Sequence, residues 1–176
     1  MNWKVESEFK YAGYKCIVIM VAMGHRCGYV GIPKDHPLYG LDYSDKSNCL
    51  KSLDVKDMSI ENASVGQLLA GLSGEYNEEY ITPEMYFSVH GGITYAGGSS
   101  SKYPIKSDLW WFGFDCAHSG DGKDLELALE YGLIDNNHYN SITSVERTFP
   151  TYDKVKSLEY CIGECKNLAE QLSKIN

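Results

Sequence analysis

Arginine is nearly absent from this sequence of 176 residues: Arg26 and Arg147 are the only two, and lysine supplies the remaining cations. Proteins that clamp phosphate or follow a nucleic-acid backbone carry a basic face rich in such side chains. Here the balance runs the other way, to a formal net charge of −8. Direct nucleic-acid binding and adhesion to anionic lipid are therefore not expected, whereas a basic protein partner suits the charge. Membrane-length apolar runs are missing too, since the Cys16 to Met23 run is far too short to span a bilayer. Met1 to Lys10 is charged and has no apolar core of a secretory leader, so the six cysteines are expected to be reduced thiols in a cytoplasmic protein. There is no Walker loop, dinucleotide fingerprint, Gly-x-Ser-x-Gly elbow, EF-hand loop or Cys-x-x-Cys knuckle, and no internal repeat. No organic cofactor is implied.

The hydrophobic fraction of 43% is that of an ordinary globular chain, enough to bury a core without disulfides, and one domain over residues 1–176 is expected. The chain is organised around Asp108 to Gly122. Leu109, Trp110, Trp111, Phe112 and Phe114 are a dense strand signal that ends at once in a Ser/Gly-rich turn carrying Asp115, Cys116, His118 and Asp121. A buried strand that runs into ionisable side chains fixes what the loop presents.

Further strands are expected at Trp3–Tyr11, broken by Gly13, and at Tyr14–Met23, where a continuous apolar run suits burial on both faces. His25 to Ile32 and Met85 to His90 read as two more, the latter pairing with the Asp108 segment as a hairpin, and Cys49 to Leu53 as a short one. Ser64 to Leu72 has helical spacing, Gly74 to Glu84 is acidic, and Asp124 to Tyr131 reads as a helix stopped by Gly132. From Thr151 onward Val155, Leu158, Ile162, Cys165, Leu168 and Leu172 define one helix face. Asn136 to Phe149 gives no clear pattern. The expected fold is α+β: a mainly antiparallel sheet with a C-terminal amphipathic helix packed on one face. Ile17, Ile19, Val21, Val89, Trp110, Phe112, Leu158 and Ile162 are the expected core.

His25-x-Cys27 and Cys116-x-His118 each set an imidazole and a thiol two residues apart, so facing strands would offer two nitrogens and two sulfurs to zinc. A thiol nucleophile is the second chemistry: Cys116 or Cys27, activated by His25, His90 or His118 and oriented by Asp115 or Asp121. It requires a lowered thiol pKa and some exposure. Asp115, Asp121 and Asp124 are near enough in sequence to hold a divalent ion through oxygen, although capping of the next helix is the plainer role for an acid there. Ser119 lacks the surroundings of a nucleophile, Gly91-Gly92 suits a bulge, and Cys161 and Cys165, one helical turn apart, suit the core. The three histidines His25, His90 and His118 are expected to converge at one sheet edge with a carboxylate in hydrogen-bond reach.

Three stretches carry a resemblance: Gly24 to Gly31, Val89 to Tyr95, and Trp110 to Asp121. They resemble a family of small proteins encoded by phages and prophages of gut Firmicutes and related bacteria, over most of the chain from Tyr11 to the last helix. That family is similar to type II-A anti-CRISPR proteins, inhibitors of Cas9. The resemblance implies a Cas9–guide RNA complex as partner and a counter-defence role in the host cytoplasm, with an acidic, tyrosine-rich surface entering a basic channel. It implies no catalytic residue. The alternative that the residues themselves suggest is a small Cys/His/Asp hydrolase or transferase, or a zinc-dependent enzyme, acting on a nucleotide or a protein side chain.

Overall fold

A computed structural model describes residues 2–50, 81–98, 103–148 and 153–175. Strands β1 (Trp3–Tyr11), β2 (Tyr14–Val21) and β3 (Arg26–Ile32) are followed by a one-turn helix α1 (Pro83–Tyr86), β4 (Tyr95–Gly97) and β5 (Trp110–Asp115). Then come β6 (Asp121–Gly122), α2 (Leu125–Glu130), α3 (Asn136–Thr148), β7 (Lys154–Val155) and α4 (Leu158–Leu172). The five longer strands form one antiparallel sheet in the order β1-β2-β3-β5-β4, and β6 and β7 form a separate parallel pair. The α+β architecture expected from the sequence is the one observed.

The apolar run in β2 is buried on both sheet faces. Cys16 and Val18 join Val30, Ile32, Phe112 and Phe114 beneath Cys161, Cys165, Leu168 and Leu172 of α4. Ile17 and Ile19 point the other way, into a second cluster with Cys27, Tyr29 and Trp111. That face is covered by residues 103–109, where Trp3, Tyr29, Tyr95 and Tyr103 meet edge to face. Gly28 lies directly under α4, where an added Cβ would come within 2.7 Å of the Cys165 sulfur. The missing side chain is what lets the helix settle on the sheet. Of the expected core, Ile17, Ile19, Val89 and Phe112 are buried, while Val21, Trp110, Leu158 and Ile162 are half-buried and pack against it.

Met85 to His90 is not a strand, and β5 takes β4 as its hairpin partner instead. Two causes are visible. Pro83 at the first helical position favours a helical turn. Beyond it, the Ser88 N–H donates to Gln171 Oε1 at 2.9 Å, and its carbonyl accepts from Asn167 and Gln171, also at 2.9 Å. Side chains of α4 thus supply the backbone partners that a ladder would supply, and Phe87 and Val89 insert into the core beside them. Val155 is likewise not on the last helix. It is exposed in β7, and α4 begins only after Ser157, whose hydroxyl caps Tyr160 N at 3.1 Å. Asn136–Thr148 is a helix with no buried residue, so it carries no core stripe to read. Residues 48–50 form a turn rather than the start of a strand. The rest of that expected strand, the Ser64 to Leu72 helix and most of the acidic stretch lie outside the described residues. Among the described residues, no helix is long and apolar enough to cross a membrane.

Candidate functional site

At the end of β5 the chain turns sharply. The Asp115 carboxylate accepts from Ala117 N at 3.1 Å and from the Thr94 hydroxyl at 2.7 Å. Asp121 then accepts from His118 N at 2.9 Å, closing the turn on itself, and Gly120 sits between them at φ 89°. Pairing of β6 with β7 ties the far side of this turn to the start of α4.

His90 reaches the same point from the loop after α1. Its Nε2 donates to Asp121 Oδ2 at 2.8 Å, and its Nδ1 meets the Tyr160 hydroxyl of α4 at 3.0 Å. Its backbone N–H donates to Glu164 Oε2 at 2.7 Å. His118 stands edge to face against the His90 ring, with centroids 5.6 Å apart. Gly91 makes this possible, because any Cβ there would collide with the His118 ring, and its φ of 66° already suits glycine. The His118 Nδ1 lies 3.7 Å from Asp121 Oδ2 and 3.9 Å from Asp115 Oδ1, too far for a hydrogen bond. That nitrogen is buried and has no hydrogen-bond partner, although the side chain as a whole is 37% exposed. Lys156 Nζ closes the other side of Asp121, 3.4 Å from Oδ1.

The Asp121 carboxyl is 3% exposed. Burial pushes its pKa up, but the His90 bond, the His118 N–H and Lys156 outweigh it, and the group is held below the usual carboxylate range. Tyr160 is pushed up to about 12 by burial and by the Glu164 charge, so it remains a phenol. His25, half-buried just before β3, is lowered by burial while Asp115 and Asp121 oppose that effect. It sits in the electrostatic reach of the cluster rather than in it.

His90, His118, Asp115 and Asp121 are therefore brought together, with His25 at their margin. The cysteines are not. Cys27 belongs to the cluster on one sheet face and Cys116 to the cluster on the other, so His25, Cys27, Cys116 and His118 do not form a zinc site. Neither thiol meets the requirements of a nucleophile. Cys27 is 4% exposed and pushed up to about 12 by burial. Cys116 is 2% exposed and also pushed up, by its contact with the Cys161 sulfur at 3.6 Å and by burial. Asp124 caps α2, accepting from Leu127 N at 3.1 Å, and is not part of a carboxylate cluster with Asp115 and Asp121.

Sequence reading missed Lys156, Tyr160 and Glu164. The last two fall one turn apart on α4, each one residue before a core cysteine, so their spacing places both on the edge of the buried face. A separate buried ion pair also went unread. Arg26 donates to both oxygens of Glu6, at 2.8 and 3.0 Å, and to the Lys156 carbonyl at 2.9 Å. Glu6 stands at an irregularity in the β1–β2 register, and such bulges re-aim a side chain.

No protein-family model, curated protein or solved structure matches this chain.

Proposed function

We propose that this protein is a small hydrolase or transferase whose centre is the histidine–carboxylate cluster at the end of β5. The observation that carries the reading is the meeting of His90, His118, Asp115 and Asp121 from two separate chain segments, with Lys156 and Tyr160 from a third. Structural histidines end fully hydrogen-bonded. His118 does not: its ring reaches solvent while Nδ1 faces two carboxylates without bonding either. An imidazole so placed can accept a proton from water or a substrate hydroxyl. Asp121 stands beside it, held ionised at neutral pH. Lys156 offers a positive charge for an anionic substrate group such as a phosphate. The thiols take no part. The test is turnover of phosphomonoester, phosphodiester and carboxyl-ester reporter substrates by the full chain. A rate lowered about a hundredfold or more by both His118→Ala and Asp121→Asn is the expected result. Equal rates in the variants and the unaltered protein would remove the reading.

A second reading rests on charge. Glu126, Glu130 and Asp135 are exposed on and just after α2, on a chain of net charge −8. With the phage-protein resemblance, this supports binding of a basic channel in a Cas9–guide RNA complex. A DNA-cleavage assay with purified type II-A Cas9 proteins tests it. Inhibition that weakens as salt rises is expected, and undiminished cleavage at large molar excess of this protein would exclude it.

A further inference from the structure

We infer that His90, His118 and Asp121 are the ligands of a divalent first-row transition metal, zinc being the best fit. One nitrogen or oxygen from each residue lies within 4.8 Å of the other two. Zinc holds imidazole nitrogen and carboxylate oxygen about 2.0–2.2 Å away, so neighbouring ligands on a tetrahedral ion stand about 3.3 Å apart. The separations of Asp121 Oδ2 from His90 Nε2, 2.8 Å, and from His118 Nδ1, 3.7 Å, bracket that value. The third side, between the two imidazole donors, is no longer than 4.8 Å.

The second observation is independent of those distances. His118 Nδ1 is a buried nitrogen with no hydrogen-bond partner. Leaving such an atom unpaired is unfavourable, and the cluster closes over it from several sides. A metal ion supplies the missing partner. Around the three donors the supporting contacts are those that metal histidines use. The second nitrogen of His90 is engaged by Tyr160, its backbone N–H is fixed by Glu164, and the free oxygen of Asp121 is held by Lys156. When the ion binds Nε2 of His90, the ring takes its other neutral tautomer, with the single proton on Nδ1 donated to the Tyr160 oxygen. The charges within reach are Asp115, Asp121 and Glu164 against Lys156, with Lys123 further out beside His25. Carboxylates outnumber the near cation, which favours a dication.

The donor set decides the metal class. Two imidazoles and one carboxylate suit zinc, iron(II), cobalt or nickel, whereas magnesium and calcium demand oxygen throughout. With three protein ligands, a fourth position remains for water, the arrangement of a catalytic rather than a structural zinc.

This inference concerns the residues of the proposed catalytic centre and rests on that reading only for its use, not for binding; with a metal on its Nδ1, His118 is a ligand and no longer the proton acceptor of that reading. The experiment is calorimetric titration of zinc sulfate into the full chain, repeated with cobalt(II) as an optical probe. One equivalent per chain is expected, with the intense visible absorption of four-coordinate cobalt. His118→Ala, at a partly exposed position the fold tolerates, is expected to weaken binding by about tenfold or more. Asp121→Asn, which keeps the shape of the side chain, should do the same. His138→Ala, at the exposed His138–Asp135 pair, should leave binding unchanged and controls for surface uptake. No binding of either metal overturns the site. So does binding that survives His118→Ala and Asp121→Asn, or a sulfur-to-cobalt band indicating the exposed Cys49. Zinc uptake without turnover would keep the metal site and remove the hydrolase. Turnover unchanged by chelator, in protein that binds neither metal, would do the reverse.

Discussion

His36 shows how a single residue can tie the fold to pH. The Leu38 N–H donates to its Nδ1 at 3.1 Å, so the ring proton must sit on Nε2, which donates to the Leu172 carbonyl at 3.2 Å. The Leu38 N–H demands the neutral ring, whereas the Leu172 carbonyl is satisfied by the Nε2 proton in either state. A proton on Nδ1 would face an N–H that needs an acceptor. Burial lowers the pKa accordingly, against smaller opposing effects of the Leu172 carbonyl and Asp35. Since the folded value lies below the unfolded one of about 6.5, the unfolded chain takes up the proton first as pH falls. Stability is complete above about pH 6.5 and is lost below it. Between pH 7.5 and 5.5, denaturant titrations should show a larger fall in stability in the unaltered protein than in His36→Asn, by no more than about 1.4 kcal/mol, the limit for one proton taken up by the unfolded chain over the pH unit below about 6.5. Equal differences would show that His36 is not a source of the dependence. Nothing in the sequence announced this role. The partner at Leu172 is 136 residues away.

At the scale of elements, the sequence was most informative where the signal was local. Gly13 marked the β1–β2 turn, Asp124 and Gly132 bounded α2, and β2 read as doubly buried because its apolar residues are continuous. It misled where distant side chains took over the backbone, as Gln171 and Asn167 do at Ser88. The turn at Gly13 also contains a correctable flaw. Tyr11 pairs with Tyr14, leaving a two-residue loop in which Ala12 and Gly13 have φ of 47° and 88°. Positive φ at both positions is the type I′ geometry, which asparagine followed by glycine fits best. Alanine in the left-handed region costs about 1 kcal/mol, and asparagine less. Ala12 is exposed and contributes no packing to lose. Ala12→Asn should therefore raise stability by about 0.5–1 kcal/mol, a shift in melting temperature of about 2 °C for a chain of this size. A melting temperature at or below that of the unaltered protein would show the turn to be limited by something other than this dihedral.

For the molecule as a whole, the helix that seals the core also holds the candidate site. Leu168 and Leu172 of α4 close the sheet, while Tyr160 and Glu164, on the edge of the same face, fix His90. The turn at the end of β5 was legible as a site because Asp115, His118 and Asp121 are close in sequence. His90 was legible as a candidate, but its hold on α4 was not, since Tyr160 is 70 residues away and reads as one more helical tyrosine. The two functions of the helix should separate under substitution. Leu168→Ala removes a fully buried side chain and should cost about 2–5 kcal/mol. The donors of the cluster stay in place, so zinc affinity in the remaining folded protein should change little. Tyr160→Phe removes only a hydroxyl from a ring that is 41% exposed, and should cost less than about 1 kcal/mol of stability. It releases His90 Nδ1, however, and loss of a contact that orients a metal histidine weakens metal binding by about 10–100-fold. Denaturation and zinc titration of both variants give the comparison. A Tyr160→Phe protein that binds zinc as tightly as the unaltered chain would mean that α4 only covers the sheet and does not position His90 for a metal.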